Sequence, residues 1–255
     1  TPARLKILRS QLRGIFFASY FRSQIYADMA NILALDTSTE ACSCALSIDG
    51  IVVEDFGISP RQHAQKILPM INALMAKHDL GFAGLDAIAF GRGPGSFTGL
   101  RIAAGVTQGL AFATELPVIP VSTLAAIAME VQQTRPASHV LSCLDARIDE
   151  IYWGIFGFDE KGLPVLLDQE VLCKPEELKS AAIANLVSMS AGGNGLQFSA
   201  RFPGDIQSKI YDSMPDLLPR AGQIAKIASD LWGKNIFISP DEISPVYLRE
   251  QVTRQ

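Results

Sequence analysis

The stretch NILALDTSTEACSCALSIDGIVVEDFGI (31–58) contains three short apolar runs that are separated by turn residues. The runs NILALDTS, CSCALSID and IVVEDFGI each have the length and composition of a strand. The segment STEA joins the first two runs, and Asp49-Gly50, a dipeptide typical of tight hairpins, joins the second to the third. We therefore predict three successive β-strands, connected by short turns, at the start of an α/β domain.

Strand and helix patterns alternate after this stretch. The segments HAQKILPMINALMAKHD (63–79) and GLRIAAGVTQGLAFATE (99–115) have the spacing of helices, and the strand LDAIAFGRG (85–93) lies between them. The segments PVIPVS and TLAAIAMEVQQ supply a further strand and helix before Arg135-Pro136 interrupts the pattern. The first half of the chain therefore contains the order βββαβα, followed by one more strand and helix.

The same order of elements begins again after the break. The second half is predicted to contain HVLSCLDAR (139–147), EIYWGIFGFD (150–159) and PVLLDQEVL (164–172) as strands, PEELKSAAIA (175–184) as a helix, NLVSMSAGG (185–193) as a strand and PRAGQIAKIASDLW (219–232) as the last helix. The repeated order βββαβα predicts a duplicated α/β fold with two lobes. We place these lobes at 29–135 and 136–255, and the last helix can pack back on the first lobe.

Residues 1–28 differ in composition from the rest of the chain. They hold five basic residues and no acidic residue before Asp28, with a short apolar run, GIFFASYF (14–21), in the middle. The run is short for a signal peptide, and no clear cleavage site of small residues follows it. We expect Met29 to be the natural start of the protein and residues 1–28 to be an extension outside the fold.

Composition limits the classes of function. The 255 residues are 48% hydrophobic, enough for one large core or two modest ones. A net charge of −4 provides no general basic field, so any RNA contact has to be local or supplied by a partner. No apolar run is long enough to cross a bilayer. The four cysteines form no Cys-x-x-Cys pair, which favours buried free thiols and a cytoplasmic location.

The segment GRGPGSFTGLR (91–101) places a glycine-rich loop between a predicted strand and a predicted helix, as phosphate-binding loops do. However, the chain has no Gly-Lys-Ser or Gly-Lys-Thr, and Ser96 stands where the third glycine of Gly-x-Gly-x-x-Gly belongs. Pro94 also removes one backbone N–H from the loop. We predict a rigid corner that starts a helix, with Ser96 or Thr98 as the N-cap and phosphate binding as the secondary alternative.

Four segments, LALDTSTEACSCALS, AFGRGPGSFTGLRIA, LDARIDEIYWGIF and SPVYLRE, together resemble the TsaB family, also called YeaZ. With the duplicated order of elements, this resemblance implies the fold of the actin, hexokinase and Hsp70 (ASKHA) superfamily. It implies a non-catalytic subunit in the synthesis of threonylcarbamoyladenosine in tRNA, paired with the catalytic paralogue TsaD and joined by the ATPase TsaE. The complex as a whole would then bring this chain to tRNA. An older description of such proteins is glycoprotease-like peptidase.

Catalysis by this chain itself would require residues that the sequence does not supply in the usual pattern. A metallopeptidase or metal-assisted transferase needs ligands on one helix face, as two histidines four residues apart provide. No two of His63, His78 and His139 have that spacing. The segment GSFTG (95–99) also differs from the Gly-x-Ser-x-Gly elbow of serine hydrolases. We predict no metal site and no catalytic residue, which leaves a peptidase as a less favoured alternative.

Two acidic turns keep nucleotide binding open as another alternative. The segment DTST (36–39) resembles the Asp-x-Gly-Thr turn with which the superfamily approaches phosphate and magnesium, although Ser38 replaces the glycine and would crowd the approach. The candidate nucleotide-binding residues of the two lobes are Asp36, Thr39, Asp145 and Gly193. The site is either a vestige or that of an independent ATP-binding enzyme. For the chain alone we predict no cofactor, with ATP reached only through the complex.

The helices at 63–79 and 99–115 carry more apolar surface than a helix covered on one side needs. Two glycines one turn apart would also let another backbone approach closely. These features favour a docking surface for the TsaD-like paralogue or for a second copy of the chain, although burial between lobes explains them as well. The predicted interface residues are Ile67, Met70, Ile71, Leu74, Arg101, Gly105 and Gly109.

Overall fold

The structure, a computed structural model, describes residues 30–249, so the predictions about residues 1–28 and Met29 lie outside it. Three strands open the fold and are followed by alternating helices and strands. The elements of this half are β1 (Ile32–Asp36), β2 (Ala41–Ile48), β3 (Ile51–Ile58), α1 (His63–Lys77), β4 (Ala87–Gly93), α2 (Phe97–Thr114), β5 (Val118–Ser122) and α3 (Thr123–Thr134).

The second half again begins with strands and ends with a long helix. Its elements are β6 (Val140–Arg147), β7 (Glu150–Phe158), β8 (Pro164–Leu166), β9 (Val171–Cys173), α4 (Ala181–Ala184), β10 (Met189–Gly192), α5 (Gly204–Gln207), β11 (Ile210–Met214) and α6 (Ala221–Gly233). Within the described part of the chain, no helix is both long and apolar enough to span a bilayer.

The strand order of the first sheet is β3-β2-β1-β4-β5, in which β1 is antiparallel to β2 and parallel to β4. All of β1 is buried because helices cover both faces of the sheet. Leu33 and Leu35 belong to the core that includes residues of α1 and α2, whereas Ile32 and Ala34 belong to the core that includes residues of α3 and α6. Burial on both sides explains why the strand is an unbroken apolar run up to its last residue, Asp36.

The strand order of the second sheet is β8-β7-β6-β10-β11, with β9 also paired to β7. The order matches the first sheet strand for strand, and the central strands pair in the same manner. Ala34 of β1 lies opposite Ala45 and Ala89, and Leu141 of β6 lies opposite Ile155 and Ala191. The prediction of a duplicated α/β fold with two lobes is confirmed.

Two predicted elements of the second half were wrong in detail. The segment 164–172 forms two strands, β8 and β9, because the chain leaves the edge of β7 between them. The segment 175–184 forms a 3₁₀ turn (Pro175–Glu177) and the short helix α4, since Ser180 accepts a hydrogen bond from the backbone N–H of Ala182 and starts a new helix. The sequence patterns also did not predict β11, whose residues are only partly buried at the sheet edge.

The last helix, α6, packs against the first sheet although it follows the second. The backbone N–H groups of Ala221 and Gly222 donate to Ser43 Oγ at 3.0 Å and to Glu54 Oε1 at 2.9 Å. Arg220 pairs with the same Glu54 carboxylate at 2.7 Å. These contacts with β2 and β3 link the end of the chain to its beginning.

Candidate functional site

The turn after β1 contains two of the four candidate nucleotide-binding residues, Asp36 and Thr39. Asp36 is fully buried, and its Oδ1 accepts hydrogen bonds from the backbone N–H of Ser38 at 3.0 Å and from Ser38 Oγ at 2.8 Å. Thr39 Oγ1 accepts a hydrogen bond from the backbone N–H of Ala41 at 3.2 Å. The hydrogen bonds of the Asp36, Ser38 and Thr39 side chains are therefore made within the turn and the start of β2.

The glycine-rich loop after β4 lies directly on this turn. A Cβ atom at Gly91 would stand 1.9 Å from Asp36 Oδ2, and one at Gly99 would stand 1.9 Å from the carbonyl oxygen of Thr37. Gly95 makes a similarly close approach to Ser38, whose carbonyl oxygen would stand 2.7 Å from a Cβ atom there. Only glycine fits at these positions, so the backbone of the glycine-rich segment packs directly against the turn after β1.

Hydrogen bonds hold the loop in this position. The backbone N–H of Ser96 donates to the carbonyl oxygen of Ser38 at 2.7 Å, and Thr37 Oγ1 donates to the carbonyl oxygen of Gly99 at 2.7 Å. Ser96 is the N-cap of α2, where its Oγ accepts a hydrogen bond from the Gly99 N–H at 3.4 Å. The prediction that the loop is a corner that starts a helix, with Ser96 as a possible cap, is confirmed.

Burial shifts the pKa of the Asp36 carboxyl away from its ordinary value. Desolvation raises the pKa of its carboxyl from 3.8 to about 7, against the opposing effect of the hydrogen bonds from Ser38. The second carboxyl oxygen, Oδ2, is buried against Gly91 without a hydrogen-bond partner. A carboxyl in this setting is neutral for much of the pH range in which an exposed aspartate is charged.

The candidate residues of the second lobe, Asp145 and Gly193, occupy the equivalent strand ends of β6 and β10. Asp145 pairs with Arg147 at 3.1 Å and accepts a hydrogen bond from the Arg147 backbone N–H at 2.8 Å. Gly193 has a φ of +107°, and a Cβ atom there would stand 2.1 Å from the carbonyl oxygen of Cys143. Gly193 therefore packs against the backbone of β6, and its neighbour Asn194 accepts a hydrogen bond from the Asp145 N–H at 3.0 Å, which brings this pair together in the second lobe.

Glu170, which the sequence patterns did not single out, joins the two lobes. It lies between β8 and β9, and its carboxylate accepts a hydrogen bond from Ser122, the N-cap of α3. The same carboxylate pairs with Arg92 of the glycine-rich loop at 3.2 Å. Arg92 therefore has an acidic partner within the chain.

The segment after the last helix crosses from the first lobe to the second. The backbone N–H of Val246 donates to the carbonyl oxygen of Arg92 at 2.8 Å, beside the glycine-rich loop. Three residues later, Arg249 donates to the carbonyl oxygen of Ala146 at 3.1 Å and pairs with Glu150 at 2.5 Å. The only sequence signal for this role is that SPVYLRE belongs to the segments that carry the family resemblance. We call residues 244–249 the strap.

The predicted interface residues of α1 are mostly interior. Ile67, Ile71 and Leu74 are buried in the core beneath the helix, and Met70 is half-buried beside them. They hold α1 on the first sheet because they form its apolar face. Only the exposed residues of the two helices can therefore meet a partner directly.

The predicted interface residues of α2 are exposed. A Cβ atom at Gly105 or Gly109 would meet no atom of the described residues within 4 Å, so within this part of the chain both glycines face open space. Phe112 is exposed one turn after Gly109, and Arg101 is exposed one turn before Gly105. We call Gly105, Gly109 and Phe112 the glycine stripe.

Neither the histidines nor the acidic residues form a recognisable metal centre in the described range. His63 is buried at the start of α1, with a ring nitrogen 3.2 Å from the carbonyl oxygen of Ala41. Among residues 30–249, no three His, Cys, Asp or Glu residues lie close enough together to hold a metal ion.

The paired sheets and their strand order define a class: a two-lobe α/β protein of the ASKHA type. The family described as "TsaD: tRNA N6-adenosine threonylcarbamoyltransferase" matches residues 44–200. Two relatives named tRNA threonylcarbamoyladenosine biosynthesis protein TsaB, from Escherichia coli and Haemophilus influenzae, are each 38% identical. Each alignment spans 87% of this chain, and 95% and 94% of the relatives, respectively.

A solved structure supports the same assignment. YeaZ from Pseudomonas aeruginosa is 39% identical and superposes with a TM-score of 0.81, which covers 86% of this chain and all of the other. The chain belongs to the TsaB family, and the resemblance read from its motifs is confirmed.

Proposed function

We propose that this protein is a non-catalytic subunit of the assembly that makes threonylcarbamoyladenosine in tRNA. It pairs with a TsaD-like catalytic paralogue, a TsaE-like ATPase joins the pair, and the assembly works on tRNA in the cytoplasm. The relatives from E. coli and H. influenzae support this proposal, since both are named as biosynthesis proteins for that nucleoside. When the paralogue is absent, the surface of this chain that would contact the paralogue joins two copies of the chain instead.

The closed turn after β1 supports a role other than independent nucleotide chemistry. Gly95 and Gly99 lie against the backbone of residues 37–38, and their loop is held by hydrogen bonds to the same residues. A phosphate could enter only if this loop moved. The hydroxyl of Ser96, the residue that a peptidase mechanism would need, accepts the Gly99 N–H as a helix cap. Both alternatives therefore require rearrangement of a bonded loop.

The single observation that carries the proposal is the glycine stripe. Glycine in the middle of an exposed helix costs about 1 kcal/mol relative to alanine, and no contact among residues 30–249 requires the small size of Gly105 or Gly109. A partner backbone that approaches closely would require it. Phe112 adds an exposed aromatic ring, a residue type enriched at protein interfaces, to the same helix.

The test is sedimentation of the full chain with the TsaD-like paralogue. Gly109→Arg should abolish association because the long side chain holds the two backbones apart, yet it should not unfold the chain, since Gly109 faces open space. Gly204→Arg is the matched control, because Gly204 also faces open space but lies in the second lobe. Formation of threonylcarbamoyladenosine, measured in digested tRNA, should fall with Gly109→Arg and persist with Gly204→Arg.

Two results would contradict the proposal. If Gly109→Arg associates as the unsubstituted chain does, the docking surface lies elsewhere. If the chain alone forms threonylcarbamoyladenosine without the paralogue, it is not a non-catalytic subunit.

A further inference from the structure

An aromatic and arginine cluster lies where the strap crosses the start of α2. The rings of Phe97 and Tyr247 have centroids 5.3 Å apart. Arg101 stacks over the Phe97 ring with its guanidinium carbon 3.9 Å from the centroid, and its Nε donates to the Tyr247 hydroxyl at 3.3 Å. Phe97 is nevertheless 48% exposed and Tyr247 is 41% exposed. The cluster is therefore held in place by its own contacts and still presents aromatic surface to solvent.

Two ion pairs beside the cluster expose the arginine more than the acid. Arg92 has 28% of its side-chain surface exposed, whereas its partner Glu170 has 6%. Arg147 has 77% exposed, whereas its partner Asp145 has 10%. In these two pairs the arginine is the more exposed partner, whereas Arg249 of the strap and its partner Glu150 are about equally exposed, at 23% and 26%. Arg101 contacts a hydroxyl and a ring in place of a carboxylate.

The strap connects these groups into one surface. Tyr247 contacts Arg101 at one end, and Arg249 donates to the carbonyl oxygen of Ala146, the neighbour of Arg147, at the other. Only one residue, Leu248, lies between the two contact residues along the strap. We call Arg92, Phe97, Arg101, Arg147 and Tyr247 the strap surface. Asp149 is an exposed acid of the same hairpin as Arg147, and Arg201 pairs with it at 3.3 Å.

We propose that the strap surface binds single-stranded RNA directly, with unpaired bases stacked on Phe97 and Tyr247 and phosphates facing Arg101 and Arg147. Exposed rings beside arginine are the means by which proteins hold single strands, because every base offers a flat face and every nucleotide a negative charge. A paired duplex hides its base faces, so the surface should favour an unpaired loop. The inference deepens the proposed function, on which it rests, by giving this chain its own contact with tRNA.

The test is fluorescence anisotropy with the full chain and a labelled RNA hairpin that has an unpaired loop. A blunt duplex of the same length serves as the comparison probe. Phe97→Ala and Tyr247→Ala should each weaken binding of the hairpin by about 5- to 160-fold, the range for loss of one stacked base, and leave the weak binding of the duplex unchanged. Tyr247→Phe should bind as the unsubstituted chain does, because the ring is retained.

Controls separate stacking from charge and from folding. Tyr211→Ala removes an exposed ring on β11, in the second lobe, and should leave RNA affinity unchanged. Arg101→Gln should reduce the slope of log affinity against log salt by about 0.7, the value for one phosphate contact on a single strand. Each of these variants should have the same thermal unfolding midpoint as Tyr247→Phe, which would show that it is folded.

Several outcomes would overturn the proposal. Equal affinity of the unsubstituted chain for hairpin and duplex would show that no base faces are recognised. Unchanged hairpin affinity in both alanine variants would also show that no bases stack on these rings. If those variants in addition failed to sediment with the TsaD-like paralogue, the strap surface would be a protein contact. The proposed function is tested separately by Gly109→Arg. If the proposed function is wrong, this variant still associates with the TsaD-like paralogue, whatever the result of the RNA-binding measurement.

Discussion

Replacement of Asp36 by asparagine should make the protein more stable at neutral and alkaline pH. The carboxyl is fully buried, and one of its oxygens has no hydrogen-bond partner. The amide of the asparagine would keep an oxygen for the two hydrogen bonds from Ser38 and would remove the charge that the interior penalises. The change tests whether this turn carries an electrostatic cost in the folded protein.

The magnitude follows from the pKa of Asp36, which burial raises from 3.8 to about 7. The folded state prefers the protonated carboxyl, so the contribution of this group is most favourable below pH 4 and is lost as the pH rises toward 7. The rise in pKa corresponds to a loss on the order of 4 kcal/mol above pH 7. About 2.6 kcal/mol of that loss falls between pH 5 and pH 8.

The assay is urea unfolding of both proteins at pH 5 and pH 8, followed through the fluorescence of buried Trp153. Any constant effect of the amide cancels when the two pH values are compared, so the stability advantage of Asp36→Asn should grow by about 2.6 kcal/mol. Asp55→Asn, at an exposed position on β3, controls for the change in net charge. Parallel stabilities of Asp36→Asn and the unsubstituted protein across this range would refute the reasoning.

Two further substitutions test the contacts around the glycine-rich loop. Gly99→Ala should destabilise the protein by several kcal/mol, because its Cβ would stand 1.9 Å from the Thr37 carbonyl oxygen, whereas Gly105→Ala, on the open face of the same helix, should stabilise it by about 1 kcal/mol. Thermal and urea unfolding measure both, and equal effects would contradict the assigned contacts. Glu170→Gln should raise hydrogen exchange at the start of α3 and in the 91–95 loop, because it weakens the bonds to Ser122 and Arg92. Unchanged exchange at both places would show that Glu170 does not hold the lobes together.

Much of the fold could be predicted because its signals are local. In residues 31–58, apolar segments alternate with turn residues, and the structure contains the strands β1, β2 and β3 at the apolar segments. The helices that begin at His63 and near Gly99 were equally visible in their apolar spacing. Elements at the edge of the second sheet were missed, because β11 is only partly buried and its sequence therefore carries little pattern.

The candidate site was predictable only in part. The sequence alone identified Asp36, Asp145 and the glycines as a group worth examining, since acidic turns and glycine loops after strands have a recognised chemistry. It did not indicate that Gly91 and Gly99 would close over residues 36–37, because that contact joins segments that are far apart in the chain. Glu170 and the strap were missed for the same reason, since Glu170 pairs with Arg92 and Val246 of the strap donates to the Arg92 carbonyl, both far away in the chain.

The sequence by itself determined the kind and order of most secondary-structure elements and their duplication, because periodicity, turns and caps act over a few neighbouring residues. It also determined which residues of α1 and α2 are apolar, but not which of them face solvent. Only the tertiary structure decided that Ile67 and Ile71 lie in the core while Gly105 and Gly109 are exposed. The reason is physical: burial depends on which surfaces of distant segments meet when both sheets are assembled, and that information is not contained in any one segment.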